Sequence, residues 1–390
     1  MSEKNNKTLK PGWRWVRFGD VVRQSKEKAD PDTSGLERYV AGDHMDTDDL
    51  RLRRWGEIGS GYLGPAFHMR FKPGQVLYGS RRTYLRKVAV ADFDGICANT
   101  TFVLEPKNPN ELFSEFLPFL MQTDAFNAFS VKNSKGSVNP YINFSDLAEF
   151  EFTLPPIDAQ ANLVEALVGF EESLESTESL AAAADKLRHS LMIDHFEASY
   201  AEYRKVSEIG KWHSGGTPSR GNASFWGGAI PWISPKDMKL SELDTAEETL
   251  TAAGVEAGSK LMPKDTIMIV VRGMILAHTF PVARTLVSAA FNQDMKALVV
   301  SDQYRPKYIQ YWFEYAAPRY LRLVSESSHG TKRLESDKLF SLTVPKLDLD
   351  EQDDFIAQVD GVRAAVSKAK ARHADAMTMK RYFLNQNLAS

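Results

Sequence analysis

Two long stretches of the chain repeat apolar and small residues at alternating three- and four-residue steps. In the first stretch these positions are Leu163, Leu167, Phe170, Leu174, Thr177, Ala181, Ala184, Leu187 and Leu191. In the second they are Phe355, Val359, Val362, Val366, Ala369, His373, Ala376 and Lys380. A narrow 3.5-residue period over several heptads is typical of a coiled-coil seam. The pattern predicts two long helices that pair with each other. The alternative is two ordinary amphipathic helices packed on their own domains.

The segment before each long helix shows short apolar strands separated by polar turns, and the two segments match in order. "FKPGQVLYGSRR" and "LMPKDTIMIVVR" both predict a turn entering an apolar strand that ends in a cation, Arg82 or Arg272. "FDGICANTTFVLE" and "VSAAFNQDMKALVV" both break an apolar run at an asparagine, Asn99 or Asn292. A Ser-x-Gly-Ser/Thr turn, a strand and a proline then follow in each. Matches in one order at an offset of about 190 residues indicate a duplication.

Four regions follow from these patterns: a first globular domain over 1–156, a central helix over 157–202, a second globular domain over 203–348 and a C-terminal helix over 349–390. A helix of about 40 residues spans roughly 60 Å. Antiparallel pairing would then place one globular domain at each end of a rod. Two domains held at a fixed distance would suit a polymer whose recognition target consists of two separated parts.

Charge is distributed unevenly among these regions. The net charge of −3 combines about +1 in the first domain, −8 in the central helix, +4 in the second domain and zero in the C-terminal helix. The negative charge of the central helix therefore masks, in the total, the mildly positive charge of the two domains. Each domain is compatible with a basic surface patch. The single cysteine, Cys97, excludes internal disulfides, and we expect it to be a small buried hydrophobe. The sequence starts without an apolar leader and has no uninterrupted membrane-length run, so we expect a cytoplasmic protein.

Residues 211–237, "KWHSGGTPSRGNASFWGGAIPWISPKD", are poor in helix and strand formers. Glycine pairs allow close backbone approach, and the two prolines rigidify turns. The exposed amides of such a turn would suit a phosphate, with five polar or cationic residues beside them: Lys211, Ser214, Thr217, Ser219 and Arg220. The alternative is a structural loop held to the core by Trp226 and Trp232.

The stretch "SGGTPSR…FWGG.IPWIS..D" closely resembles the opening of the target-recognition domains in specificity subunits of type I restriction–modification enzymes. The order domain, long helix, domain, long helix is similar to that family over nearly the whole chain. The first copy departs from the motif, since "ERYVAGDHMDTDDLRL" stands at 37–52 where a second Ser-Gly-Gly loop is expected.

The resemblance implies duplicated α/β (α+β) target-recognition domains joined by two long helices that form an antiparallel coiled coil. It implies a non-catalytic subunit, each domain of which reads one half of a bipartite site in double-stranded DNA. The helices are expected to act as a spacer and to dock two methyltransferase (modification) subunits, and restriction/motor subunits join them. Those partners are expected to use S-adenosylmethionine, ATP and Mg, with no cofactor in this chain.

Base edges are distinguished by positioned side chains, whereas phosphate contacts set the register. Polar and cationic residues in loops at strand ends are therefore the predicted DNA contacts. In the first domain they are Arg81, Arg82, Tyr84, Lys87, Lys132, Asn133, Lys135 and Ser137. In the second they are Lys211, Thr217, Ser219, Arg220, Lys236, Arg272, His329, Lys332 and Arg333. For each one, a solvated surface side chain is the alternative.

Motifs for other chemistry fail on context. "GSGYLG" at 59–64 lacks the strand–turn–helix unit of a dinucleotide site, and there is no phosphate-binding loop of the ATPase type. The histidines are scattered without metal-ligand spacing, so we predict neither a metal site nor a catalytic centre. Two other interpretations stay open. One is the specificity subunit of another bipartite restriction system. The other is a coiled-coil protein–protein adaptor without DNA binding, which the acidic helix would suit.

Overall fold

The computed structural model describes residues 9–326 and 330–388. The chain divides into two compact units. The first unit contains Met1–Ser179 and Lys370–Ser390, and the second contains Leu180–Ala369.

From residue 9 onward, the first unit has ten short strands and four short helices, followed by a long helix that continues into the second unit. Its strands are β1 (Arg14–Arg17), β2 (Val22–Gln24), β3 (Arg38–Val40), β4 (Gly56–Glu57), β5 (Phe67–Phe71), β6 (Val76–Gly79), β7 (Val88–Val90), β8 (Gly95–Ala98), β9 (Thr101–Pro106) and β10 (Glu151–Leu154). Its helices are α1 (Phe18–Val21), α2 (Phe116–Met121), α3 (Asp124–Lys132), α4 (Phe144–Leu147) and α5 (Ile157–Glu197). The sheets have the strand orders β2-β9-β6-β7, β4-β3-β8-β5 and β1-β10.

The second unit repeats this scheme with additions. Its strands are β11 (Tyr203–Lys205), β12 (Gly210–Ser214), β13 (Trp226–Ile233), β14 (Glu242–Leu243), β15 (Thr249–Leu250), β16 (Ile267–Val270), β17 (Val282–Thr285), β18 (Ala290–Phe291), β19 (Met295–Val300), β20 (Ser325–Glu326), β21 (Lys332–Arg333) and β22 (Thr343–Pro345). Its helices are α6 (Ala252–Gly258), α7 (Pro306–Leu323), α8 (Ser336–Leu339) and α9 (Leu349–Leu388). The sheets have the orders β12-β19-β16-β17-β14, β15-β13-β18, β11-β22 and β20-β21.

The strand orders confirm the duplication. The series β2-β9-β6-β7 corresponds strand by strand to β12-β19-β16-β17, and the pair β1-β10 corresponds to β11-β22. The parallel pairing of β3 with β8 also recurs in β13 with β18. The order of apolar strands and polar breaks in the sequence was therefore sufficient to identify two copies of one fold.

Each unit has its own hydrophobic core, to which both long helices contribute. In the first unit, Phe18, Phe116 and Phe126 are fully buried together with Leu167 of α5 and Leu384 of α9. In the second unit, the aromatic face of α7 packs with Phe196 of α5 and Phe355 of α9. Cys97 is completely buried, as expected, and burial raises the pKa of its thiol to about 12.

The long helices pack antiparallel, which confirms the coiled coil. In the first unit, the Phe170 ring lies 5.8 Å from that of Phe383, and the Leu174 carbonyl lies 3.2 Å from His373 Nδ1. Contacts thus move backward along α9 as they move forward along α5. One predicted seam residue is wrong: Leu187 is 53% exposed. The buried positions in that part of α5 are instead Met192 and Phe196, because there the helix packs on the core of the second unit.

A buried glutamine anchors the first turn of each long helix. The Gln160 side chain accepts a hydrogen bond from the Phe113 amide (2.8 Å) and donates to the Glu111 and Pro155 carbonyls (2.9 and 2.8 Å). Gln352 accepts from the Arg305 amide (2.8 Å) and donates to the Gln303 and Leu347 carbonyls (3.0 Å each). Each side chain satisfies three backbone groups that are mostly part-buried, and so fixes where the helix leaves its domain.

No helix within the described ranges is long and apolar enough to cross a membrane.

Candidate nucleic-acid interface

A rigid turn after β6 carries the first group of predicted contacts. The 3₁₀ turn Thr83–Leu85 lies between Arg82 (φ 49°) and Arg86 (φ 52°), both in the left-handed conformation. Such a conformation is unfavourable for a residue with a side chain, and it persists only where surrounding contacts enforce it. The Arg86 side chain supplies these contacts. It donates to Asp48 (2.7 Å), to Asp124 (2.9 Å) and to the Gln122 carbonyl (2.5 Å).

The second predicted group, residues 132–137, lies beside this turn. The Arg82 amide donates to the Pro140 carbonyl (2.6 Å), and Thr83 Oγ1 lies 2.9 Å from Ser134 Oγ. Lys135 and Tyr141 exchange two backbone hydrogen bonds. The fold thus brings together two groups that are separated by about 50 residues in the sequence.

The predicted residues of the first unit differ in how free their side chains are. Exposed side chains belong to Arg81, Arg82, Tyr84, Lys132, Lys135 and Ser137. Arg81, Arg82 and Lys132 make no ion pair within 9–326 or 330–388, whereas Lys135 donates to Asp146 (2.7 Å) and thereby lowers the pKa of that carboxyl. Lys87 is half-buried and donates to the Gly42 carbonyl, and Asn133 donates to the Phe129 carbonyl (2.8 Å) at the end of α3.

A polar cleft of about 400 Å³ opens beside Arg81. Its lining includes amide side chains that were not among the predicted contacts: Gln24, Asn99 and Asn143. Tyr141 and Phe144 complete one side. The polar break at Asn99 was visible in the sequence. Only the sheet, however, brings it next to an arginine that follows a different strand.

The second unit builds the corresponding turn from other residues. After β16, the Gly273 amide donates to the Lys332 carbonyl (3.0 Å). Arg272 and Arg333 form an isolated antiparallel β-bridge. The cations here have acidic neighbours. Arg272 lies 3.7 Å from Asp294, Lys332 lies 2.6 Å from Glu326, and Arg333 lies 3.2 Å from Glu335. His329 lies outside the described residues.

These backbone contacts correct the sequence alignment of the two halves by one position. Arg81 forms the bridge to Tyr141 that Arg272 forms to Arg333. The counterpart of Arg272 is therefore Arg81 and not Arg82. Arg82 corresponds to Gly273, and both have positive φ angles. The sequence comparison aligned Arg82 with Arg272, because each is the last cation of its segment. In the structure, Gly273 occupies the position of Arg82.

The Ser-Gly-Gly loop is a packed structural element. A Cβ atom on Gly215 would lie 2.1 Å from the Asn292 carbonyl oxygen, and one on Gly216 would lie 2.2 Å from that of Gly258. The Gly216 amide donates to the Phe291 carbonyl (3.0 Å), and Thr217 donates to Gln293. The interpretation of this turn as a cradle of free amides is therefore wrong at Gly216, because close backbone packing uses that donor.

The tryptophans secure this loop, as the alternative interpretation expected. Trp232 Nε1 donates to the Gly216 carbonyl (3.0 Å), and Trp226 Nε1 donates to the Ser219 carbonyl (3.2 Å). The Arg220 guanidinium lies 3.9 Å from the centre of the Trp226 ring and donates to Glu248 (2.9 Å). This hydrogen bond lowers the pKa of Glu248. Arg220 and Ser219 remain exposed at the loop surface.

The remaining predicted cations of this unit, Lys211 and Lys236, are exposed. Lys211 lies on β12 opposite Val299. Lys236 lies in a turn closed by Asp237, which accepts from the Ser234 amide (2.8 Å).

The same turn exists in the first unit, where His44 Nδ1 accepts from the Ala41 amide (3.1 Å). Residues 37–52 therefore correspond to the segment that begins with β13. They do not replace the Ser-Gly-Gly loop, whose counterpart lies between β2 and β3.

No group of three or more His, Cys, Asp or Glu residues in the described part of the chain is placed to hold a metal ion.

Comparison with known proteins shows which family this chain is similar to. Residues 12–183 match the family described as "Type I restriction modification DNA specificity domain". The type I restriction enzyme EcoR124I/EcoR124II specificity subunit of Escherichia coli is 37% identical over 167 residues, which is 42% of this chain and 41% of that protein. The chain thus aligns with about two fifths of the length of this curated relative.

Two solved structures share the fold over almost the full length. A chain from a structure of "complex assembly and conformational transition of the type I R-M system" has a TM-score of 0.65 at 20% identity, with 98% of both chains covered. The type I restriction–modification S subunit from M. genitalium has a TM-score of 0.56 at 15% identity, covering 99% of this chain and 98% of that one. The domain match and the full-length fold confirm the resemblance noted in the sequence. Residues 12–183 thus match a type I restriction–modification specificity domain, and the fold of the whole chain is similar to that of S subunits from such systems.

Proposed function

We propose that this chain chooses the DNA sequence for a type I restriction–modification enzyme. Each unit reads one half of a bipartite duplex site, and the long helices dock two methyltransferase subunits, which restriction/motor subunits join. The chain itself acts as a non-catalytic reader. Its partners bind S-adenosylmethionine, ATP and Mg and carry out the chemistry.

The exposed pair Arg81 and Arg82 carries this proposal. Arg53, Arg70 and Arg86 of the same unit all contact carboxylates. Arg81 and Arg82 have no ion pair within the described ranges, yet they lie on a turn whose conformation is enforced from both sides. Unpaired cations on a rigid support are suited to phosphate and base contacts, because no internal partner must be displaced.

The acidic helix supports the adaptor interpretation less in the structure than in the sequence. Three of its carboxylates face cations of the first unit itself: Glu171 contacts Lys380, Glu175 contacts Arg51, and Glu178 contacts Arg53. These pairs reduce the acidic surface that α5 would offer to a basic protein.

Duplex binding by the full-length chain at several salt concentrations tests the proposal. Phosphate contacts release counterions, so a DNA reader must lose affinity steeply as salt rises. An Arg81→Ala/Arg82→Ala double variant should show a shallower slope by roughly 1–2 units on a log–log plot. The matched control is Arg322→Ala/Arg372→Ala, which removes the same charge away from the turn. Wild-type affinity that is independent of salt would contradict the proposal and favour the adaptor.

A further inference from the structure

The two units place an arginine and a carboxamide side chain at equivalent positions. Gly79 pairs with Thr101 across β6 and β9, and Val270 pairs with Met295 across β16 and β19. Two residues after the first member of each pair stands an arginine, Arg81 or Arg272. Two residues before the second member stands a carboxamide, Asn99 or Gln293.

Backbone hydrogen bonds hold the two positions together in both units. The Ser80 amide, next to Arg81, donates to the carbonyl of Thr100, next to Asn99 (3.0 Å). The Val271 amide, next to Arg272, donates to the carbonyl of Asp294, next to Gln293 (2.9 Å). The juxtaposition is therefore a property of the duplicated sheet and is independent of loop length.

In the first unit both side chains face one cleft and are free to bind. Arg81 and Asn99 line the cleft of about 400 Å³ beside β6. Neither side chain makes a hydrogen bond or an ion pair with another residue in the described part of the chain. Buried or paired polar groups would need to break contacts before binding, and these do not.

In the second unit the pair is the same, but its neighbours restrict it. Thr217 donates to Gln293 Oε1, which leaves the amide NH₂ of Gln293 available as a donor. Asp294 lies 3.7 Å from the Arg272 guanidinium. Gln293 and Arg272 are both exposed.

Side chains of these two types match base edges in the major groove. Arginine donates two hydrogen bonds to guanine O6 and N7, and asparagine or glutamine forms a pair of bonds with adenine N6 and N7. Lysine, by contrast, is a point charge that is better suited to phosphate.

We propose that Arg81 with Asn99, and Arg272 with Gln293, are the base-reading pairs of the two units. This inference rests on the proposed function and specifies which residues determine the sequence that is read. The lysines around each pair serve the phosphate backbone.

The test is a binding selection by the full-length chain from a duplex library in which both half-sites are randomised. Asn99→Ala should relax the preference at one base pair of one half-site by roughly 10- to 100-fold. Gln293→Ala should do the same in the other half-site only. Asn99→Gln should retain the adenine preference that Asn99→Ala loses. The matched controls are Asn110→Ala and Gln303→Ala, exposed amides outside the two sites, which should leave every preference unchanged.

The outcomes separate this inference from the proposed function. Selective wild-type binding, with variants that lose affinity equally for all sequences, would overturn the assignment of Asn99 and Gln293 and leave the proposed function standing. Changes of preference in the wrong half-site would also overturn it. A wild-type chain that selects no sequence at all would reject the proposed function, and the inference with it.

Discussion

In the first unit the turn after β6 is Thr83–Leu85, held between two arginines in the left-handed conformation. In the second unit the equivalent turn is Met274–Ala277, which follows Gly273 with a φ of 136°. The backbone has a positive φ angle at both positions, but the residue there is Arg82 in the first unit and Gly273 in the second. The first unit therefore gains an exposed cation at a position where the second unit has none.

The second unit instead gains a packed loop. Its Gly215–Gly216 segment lies against carbonyl groups and is held by Trp226 and Trp232. Its cations lie near Asp294, Glu326 and Glu335, whereas Arg81 and Arg82 have no such neighbours within 9–326 and 330–388. The difference shows how one scaffold presents two chemistries: the strands are shared, and the turn residues and their acidic partners vary.

The largest effect is expected where the two units are most alike. Replacing Gln160 or Gln352 by alanine removes the partner of three backbone groups that are mostly part-buried, so we expect each change to lower the free energy of unfolding by about 2–3 kcal/mol. Chemical denaturation measures the loss, and hydrogen exchange should locate it in the first unit for Gln160→Ala and in the second for Gln352→Ala. Gln358→Ala, an exposed change on α9, is the control. Losses spread evenly over both units would contradict the equivalence of the two anchors.

A smaller effect should separate the two arginines. Arg81→Ala removes an unpaired cation, and Arg272→Ala removes one that Asp294 partly neutralises. We therefore expect Arg81→Ala to cost about 1–3 kcal/mol at its half-site and Arg272→Ala to cost less at the other. Duplex affinities for single half-site substitutions measure both. Asp294→Asn should strengthen binding at the second half-site, and an unchanged affinity there would show that the carboxylate does not restrain Arg272.

The smallest effect is a pH dependence that belongs to the second unit. His195 stacks on Phe355 at 3.8 Å and lies 3.1 Å from the Tyr308 hydroxyl, and burial lowers the pKa of its imidazole to about 4. Because the unfolded pKa is near 6.5, this contribution is complete above about pH 6.5 and is lost as the pH falls from there toward 4.

After allowance for the partial exposure of the ring, we expect a loss of about 1 kcal/mol. The acid sensitivity of thermal unfolding in wild type, compared with that in His195→Gln, measures it. Identical pH profiles would exclude His195 as the cause.

Much of the architecture followed from the sequence because it depends on periodicity. The 3.5-residue pattern from Leu163 and from Phe355 located both long helices, and the order of strands and breaks revealed the duplication. Arg81, Arg82 and Arg272 lie on turns at strand ends, as expected of side chains that chain-reversing segments expose. Four other predicted cations lie within regular elements: Lys132 in α3, Lys211 in β12, and Lys332 and Arg333 in β21. The same pattern wrongly predicted that Leu187 is buried. A residue at the correct heptad position is buried only if a partner helix or a core lies opposite it.

The composition of the candidate site could be predicted from the sequence, but its arrangement could not. Arg81 was selected for its charge, whereas Asn99 was seen only as a break between strands. Gln160 and Gln352 carried no local signal, because their partners lie in other segments of the chain.

What the sequence determined by itself is the plan of two similar sheets and two long helices, because hydrophobic period and turn residues act over short distances along the chain. The tertiary structure alone decided which arginine matches which, which glycine amide is already bonded and which carboxamide lies beside Arg81. These relations depend on strand register, and a shift of one residue in register brings different side chains together.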